Sequence, residues 1–391
     1  MQSTPRQTAH CMLGEPLPAD ARIANSNTSC LRKALYDAAF ALFPASRTPS
    51  NMERQKQIRT WLAALWPDRR FTLAPASADA SFRRYFRVTL EDGATRIVMD
   101  APPANEDCRP WLHVQHLFQA AGVHVPEVLA QDLDRGFLLL SDLGNATYLQ
   151  ALDADNAVTL YADAMTSLVK IQQASRPGAL PDYDQALLRR ELDLFPQWFL
   201  AEHHRMSLTD TEKQSLETVF ERILAVNLAE PKVFVHRDYH SRNLMQIAAP
   251  GTGNPGIIDF QDAVYGPISY DMVSLLKDAY IEWDEDLALD WLVRYWELAR
   301  KAGLPVREDF GDFFRDYEWM GVQRHIKVLG IFARLYHRDG KDGYLKDLPL
   351  VARYLRKACE RYSELAPLRK ILDRLEDKVT VLGHTMDKRD F

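Results

Sequence analysis

Residues 233–245 read VFVHRDYHSRNLM. The β-favouring run Val233–Val235 predicts a short strand that delivers His236, Arg237 and Asp238 to a loop, and Asn243 follows five residues after the aspartate. Sixteen residues beyond Asn243, the apolar run Gly256–Ile258 leads into Asp259, Phe260, Gln261 and Asp262. Both runs are continuous rather than alternating, as buried strands are. A carboxylate and an amide on one loop, with a second carboxylate on a neighbouring strand, form a set with a definite chemistry. The first carboxylate can take the proton of an attacking hydroxyl. The amide and the second carboxylate offer the hard oxygens that hold Mg²⁺ against phosphates.

H-R-D-x-x-x-x-N is the pattern of kinase catalytic loops. The chain resembles the aminoglycoside phosphotransferase-like kinases, a branch of the protein-kinase-like fold, over roughly residues 52–375. The resemblance implies an α+β, two-lobed architecture with a small antiparallel-sheet N-lobe and a larger helical C-lobe. It implies ATP and Mg²⁺ as cofactors, Asp238 as catalytic base, and Asn243 and Asp259 as metal ligands. Three stretches are similar to a narrower group, the bacterial anomeric kinases of N-acetylmuramate and N-acetylglucosamine: SADASFRRYFRV (77–88), VMDAPPANEDCRPW (98–111) and DFQDAVYGPISYDMVSLLKD (259–278). That likeness implies a small-molecule amino sugar as partner, phosphorylated at its C1 hydroxyl during peptidoglycan recycling. The alternatives are another small-molecule kinase of this fold, acting on an aminoglycoside, choline or homoserine, or a nucleotide-binding pseudokinase. A protein kinase is disfavoured, because no A-P-E segment follows Asp259.

Two departures from the kinase pattern shape the nucleotide site. The loop Ala76–Ser81 contains no glycine, so Ser77 and Ser81 are the small residues that let the backbone approach phosphates. No lysine occurs between Lys56 and Lys170, and the missing one belongs near Met99–Asp100. Either an arginine covers the phosphates, with Arg83 and Arg84 the first candidates beside Arg87 and Arg96, or the chain is a weak kinase; guanidinium holds phosphate bidentately, so the exchange is physically reasonable. The adenine is expected at a hinge over Leu139–Leu143, with Leu140 and Asp142 beside it. For the acceptor, Arg242, Gln261 and Asp262 flank the loop, and Arg324 lies on a helical stretch with Trp319 and Lys327. A lactyl carboxylate calls for such a cation. A cationic aminoglycoside would instead call for the acids Asp284, Glu285, Asp286 and Glu318. His236 reads as a buried scaffold residue, and Asp271 as a cap of the helix after it and a brace for the loop. His236 and His240 lie four apart without the glutamate of H-E-x-x-H, which disfavours zinc.

Around this centre, residues 52–143 predict the N-lobe. A helix runs from Met52 to Pro67, followed by strands at Phe71–Leu73, Phe82–Leu90 and Arg96–Met99, a helix from Pro110 to Ala121, and strands at Glu127–Ala130 and Gly136–Ser141. Residues 144–391 predict the C-lobe, with helices near 155–174, 186–203, 209–226, 284–302, 308–335 and 349–375. Residues 1–51, rich in Ser, Thr, Asn, Ala and Pro, read as a disordered tail or an upstream start extension. The 391 residues carry 47% hydrophobic and 26% charged residues, within the ordinary globular range. A net charge of −6 gives no global field to hold a polyanion, which disfavours nucleic acid as the main ligand. No apolar run approaches the roughly 18 residues of a membrane span. The four cysteines, at 11, 30, 108 and 359, have no CxxC spacing and read as free thiols of the cytoplasm. The chain is expected to act as a monomer.

Overall fold

The computed structural model describes residues 51–78, 82–247 and 254–381, with side chains as far as 376 except those of Ser77 and Ala78. The expected tail therefore lies outside the described residues, apart from Asn51. By compactness the chain divides into Met1–Gln57 and Ile58–Phe391. Helix α1 (Asn51–Leu65) runs into the second unit, where Ile58, Trp61 and Leu62 are buried, and Pro67 follows its end.

Five antiparallel strands come next: β1 (Phe71–Ala78), β2 (Arg84–Leu90), β3 (Thr95–Asp100) and, after helix α2 (Cys108–Ala120), β4 (Val128–Asp132) and β5 (Phe137–Ser141). Their order across the sheet is β1-β2-β3-β5-β4. The period of two decides what each face buries. Phe86, Val88 and Leu90 of β2 join Val98, Phe137 and Leu139 in a core shared with Ile58, Trp61 and Leu62. The alternate residues Met99, Leu138 and Leu140 face the larger core with Trp111, Leu117 and Phe118 of α2. Asp107 caps α2 by accepting from the Arg109 amide at 2.9 Å, and the helix stops before Gly122, whose φ is +76°.

The remainder is mainly helical: α3 (Ala157–Gln173), α4 (Gln185–Leu192), α5 (Asp210–Leu228), α6 (Tyr270–Leu276), α7 (Glu285–Lys301), α8 (Phe310–Asp339), α9 (Leu348–Arg361) and α10 (Ala366–Val381). Two expected helices are each interrupted. The one near 186–203 ends at Leu192 and resumes as a wide, i→i+5-bonded helix over Phe195–His203, where Pro196 supplies no amide hydrogen. The one near 349–375 breaks at Tyr362–Leu365, just before Pro367. Helix α8, about 45 Å long at 1.5 Å per residue, runs through the core and buries most of Phe313–Ala333. Its close approach to Leu194 requires Gly330, where any Cβ would come within 2.5 Å of the Leu194 Cβ.

The catalytic-loop candidate sits between two short ribbons. Strand β6 (Lys232–Val235) pairs with β9 (Val264–Pro267), and β7 (Leu244–Met245) pairs with β8 (Gly256–Ile257). Strand β8 therefore stops one residue short of the end of the apolar run Gly256–Ile258, and Asp259 follows with a left-handed backbone. No described helix is long and apolar enough to cross a membrane.

Candidate active site

The loop after β6 is fixed by buried groups on either side. His236 is fully buried, and its Nε2 lies 3.1 Å from the Ile258 carbonyl while its Nδ1 lies 3.3 Å from the Asp238 amide. A carbonyl needs a donor, so Nε2 carries the proton and Nδ1 accepts. Burial pushes this imidazole down to about 4, which keeps it neutral. Asp271 is buried in the first turn of α6, and its two carboxylate oxygens accept from the His236 amide at 2.7 Å and the Arg237 amide at 3.0 Å. The brace expected of Asp271 is present. The expected cap is not, because Ser269 holds the cap position and Asp271 lies within the helix, its carboxylate already taken by the loop.

Between these anchors the backbone adopts two left-handed conformations that side chains rarely take: Arg237 at φ +76° and Asp259 at φ +62°. They aim Asp238 and Asp259 toward Asn243, whose Nδ2 donates to the Asp238 carbonyl at 3.0 Å and to Asp259 Oδ2 at 3.3 Å. The three residues singled out by spacing thus converge. With Nδ2 occupied as donor, Oδ1 is the atom Asn243 can offer to a cation.

A charge network absent from the sequence reading surrounds Asp238. Arg324 NH2 lies 3.6 Å from Asp238 Oδ1, and Arg324 NH1 donates to the Arg237 carbonyl at 2.7 Å and to the Tyr270 hydroxyl at 3.2 Å. Lys327 donates to that hydroxyl at 2.9 Å and pairs with buried Glu191 at 3.2 Å. Glu191 also accepts from Arg237 at 2.5 Å and Gln323 at 3.0 Å, and bonds the Tyr183 hydroxyl. Burial works to raise the Asp238 carboxyl, but Lys327 and Arg324 outweigh it and hold the group well below the usual carboxylate range. Asp238 is ionised at any physiological pH. Glu191 lies 46 residues before its partner Arg237, so no local pattern announces it.

Just before β2, Arg83 reaches to 4.0 Å from Asp259 Oδ1. Arg84 stands directly across from Asp100 in the β2–β3 register and pairs with its buried carboxylate at 2.5 Å. The place expected for a lysine is thus taken by an acid that holds an arginine. Arg87 instead clasps Asp142, at 2.6 and 3.0 Å, and the Gly144 carbonyl at 2.9 Å. Burial opposes ionisation of Asp142, yet Arg87 and the Gly144 amide bring it below its ordinary value. Leu140 lies inside β5, flanked by Ile97 and Val128, so its main chain faces neighbours within the sheet and the connecting segment begins only after Ser141. Ser77 pairs with Tyr85 just past a bulge in β1, and Ser81 lies outside the described residues.

Of the acceptor candidates, Gln261 donates to Asp259 Oδ1 at 2.9 Å and approaches Asp262 Oδ2 at 3.4 Å, while the Asp262 carbonyl accepts from Arg237 at 3.3 Å. Arg242 sits over Tyr280, its guanidinium carbon 3.8 Å from the ring centre. Three of the four acids expected for a cationic acceptor are engaged elsewhere. Glu318 is buried between Lys277 and Arg361, Glu285 pairs with Arg361 and Lys357, and Asp284 caps α7. Among the described residues no cluster of three or more His, Cys, Asp or Glu is placed to bind a metal through protein ligands alone. Asn243 and Asp259 fit Mg²⁺, which is commonly held by one or two side-chain oxygens plus phosphates and water.

Residues 72–304 match the phosphotransferase enzyme family. An N-acetylmuramate/N-acetylglucosamine kinase of Neisseria meningitidis is 51% identical over 325 residues, covering 82% of this chain and 96% of that one. One from Pseudomonas aeruginosa is 47% identical over 333 residues, covering 83% and 97%. The choline kinase LicA from Streptococcus pneumoniae superposes with a TM-score of 0.55 at 11% identity, covering 78% of this chain and 99% of that one. The ADP-bound aminoglycoside phosphotransferase APH(2'')-Ib does so with 0.53 at 17%, covering 78% and 98%. At such identities the solved structures show the shared fold alone.

Proposed function

The chain belongs to the phosphotransferase enzyme family, and from that premise we propose that it transfers the γ-phosphoryl group of ATP to the C1 hydroxyl of N-acetylmuramate and N-acetylglucosamine. It does so as a cytoplasmic monomer that returns cell-wall sugars to use. The observation that carries the substrate class is the near-full-length match, at about half identity, to kinases named for these two sugars.

The site geometry supports the chemistry. Asp238 is an anion at the loop's exposed edge, its side chain 41% accessible, and it orients the sugar hydroxyl. So acidic a carboxylate is a weak base, which suits a loose transition state in which the proton leaves late. Asn243 Oδ1 and Asp259 would hold Mg²⁺, which would supply the positive charge that neutralises the nucleotide phosphates. Arg83, close to Asp259, serves the phosphates in place of the absent lysine, and Arg84 lies one residue further on, anchored to Asp100. Arg324 stays beside Asp238 and fixes its direction.

The test is ADP release from ATP and Mg²⁺ with N-acetylmuramate, N-acetylglucosamine, kanamycin or no acceptor. Turnover that depends on either amino sugar is expected. Turnover with kanamycin alone would keep the catalytic loop and overturn the substrate.

A further inference from the structure

Three cations crowd Asp238, and the fold uses each of them internally. Arg324 gives its guanidinium to the Arg237 carbonyl, Tyr270 and Asp238. Lys327 gives its ammonium to Tyr270 and Glu191, and Arg237 is bound to Glu191 and the Asp262 carbonyl. The side chains of Arg324 and Lys327 are only 7% and 6% exposed, so neither can receive an anion from solvent without breaking the network that fixes the loop.

Arg242 differs. It lies on the same loop, half-buried, four residues after Asp238. Its guanidinium carbon is 3.8 Å from the Tyr280 ring centre and 5.8 Å from that of Tyr344. Among the described residues no carboxylate oxygen comes within ion-pair distance of it. The His240 ring packs 5.3 Å from Tyr280, and the His240 amide donates to the Asp238 carbonyl at 3.0 Å, which places Tyr280 against the loop that carries Asp238. Asp347 stands close enough for its charge to act on Arg242, and its Oδ2 is buried without a hydrogen-bond partner. A guanidinium seated over an aromatic ring by its carbon leaves N–H groups for an anion, and arginine can take a carboxylate bidentately.

We propose that Arg242, held on Tyr280, binds the lactyl carboxylate of N-acetylmuramate and sets the enzyme's preference between this acidic sugar and neutral N-acetylglucosamine. The inference rests on the amino-sugar reading above. It also accounts for tolerance of both acceptors. Arg242 is only half-buried over Tyr280, so a sugar without the carboxylate leaves no fully buried charge stranded.

The experiment measures kcat and KM for both sugars in wild type, Arg242→Gln, Arg242→Lys and Lys346→Gln, the last removing an exposed cation near Asp347. Arg242→Gln should lower kcat/KM for N-acetylmuramate roughly ten- to hundredfold, mostly through KM, the range for losing a charge-assisted pair. For N-acetylglucosamine the change should stay within about threefold, as for other surface charges. Arg242→Lys should keep part of the muramate preference, and Lys346→Gln should leave the ratio of the two sugars unchanged. Equal losses on both sugars in Arg242→Gln would overturn the assignment. So would a Lys346→Gln effect as large as that of Arg242→Gln, since it would show a general field. If Arg242→Gln is inactive with both sugars, Arg242→Lys decides by whether the ratio survives. A wild type silent with both sugars would instead overturn the amino-sugar reading itself.

Discussion

Asp271→Asn separates the role of the loop from the stability of the fold. Asp271 is 1% exposed and accepts from two successive main-chain amides, His236 at 2.7 Å and Arg237 at 3.0 Å. Asparagine has one acceptor and one donor on its amide, so one of those N–H groups must face an NH₂. Losing a hydrogen bond to a carboxylate costs about 1.5–3 kcal/mol. Part of that is recovered, because burial already disfavours the carboxylate and pushes Asp271 up to about 7. A net loss of about 1–2 kcal/mol follows. The larger consequence is for turnover. Arg237 is held at φ +76°, a conformation worth about 1–3 kcal/mol of strain, and the brace restrains it. With the brace halved, Arg237 can relax and carry Asp238 out of line. The expectation is a ten- to hundredfold fall in kcat, roughly the range of that strain expressed as a rate. KM for ATP should change little, because Asn243 is held independently through its carbonyl, which accepts from the Ile258 amide at 3.1 Å. Protonating Asp271 removes an acceptor in the same way, so wild-type kcat should also fall as pH drops below about 7. Steady-state kinetics across pH, with a thermal melt, make the test. Full kcat in a destabilised variant would rule out this role for the brace, and so would a KM for ATP rising in step with the loss.

Asp238→Asn should lose most turnover while ATP binding, followed by calorimetry, survives; loss of both together would remove Asp238 from its role. Burial, reinforced by Asp316, pushes Glu230 up to about 8 against an ordinary 4.5. The folded protein then keeps a proton that the unfolded chain releases, so this group's contribution makes stability fall as pH rises from about 4.5 through about 8. Glu230→Gln should flatten that slope, read as the difference in Tm between about pH 5 and pH 8, and an unchanged slope would show Glu230 ionised in the fold. Arg87→Met should raise KM for ATP by about three- to tenfold with kcat little changed, since it releases the clasp on Asp142 and Gly144 after β5. An unaltered KM would separate that segment from nucleotide binding.

The alternation of Phe86, Val88 and Leu90 marked β2 in the sequence, and the burial of all three on one face follows from it. The convergence of Asp238, Asn243 and Asp259 was equally legible, because their fixed offsets from two short apolar runs carry the geometry. The support of that loop was not. Glu191, Lys327 and Tyr270 come from three separate helices, and their meeting at Arg237 and Asp238 depends on how α4, α6 and α8 cross. For the same reason Arg324, whose chemistry suits an acceptor carboxylate, is spent inside the fold, whereas Arg242 is held at the rim by Tyr280. The split of the 186–203 helix had a local signal in Pro196, while the strand Val264–Pro267 exists because its partner β6 stands opposite. Asp271 carried a carboxylate in a position suited to capping, and only the three-dimensional approach of the loop amides shows what it binds.

In the mechanism proposed above, Asp238 directs phosphoryl transfer to the anomeric oxygen of an amino sugar. A phosphorus–proton correlation spectrum of the product made from ATP, Mg²⁺ and N-acetylmuramate tests it most directly. The predicted result is a phosphorus coupled to the anomeric proton, with loss of the reducing end, formed by wild type and not by Asp238→Asn. A phosphorus coupled to the C6 protons, or the same product from Asp238→Asn at wild-type rate, would contradict it.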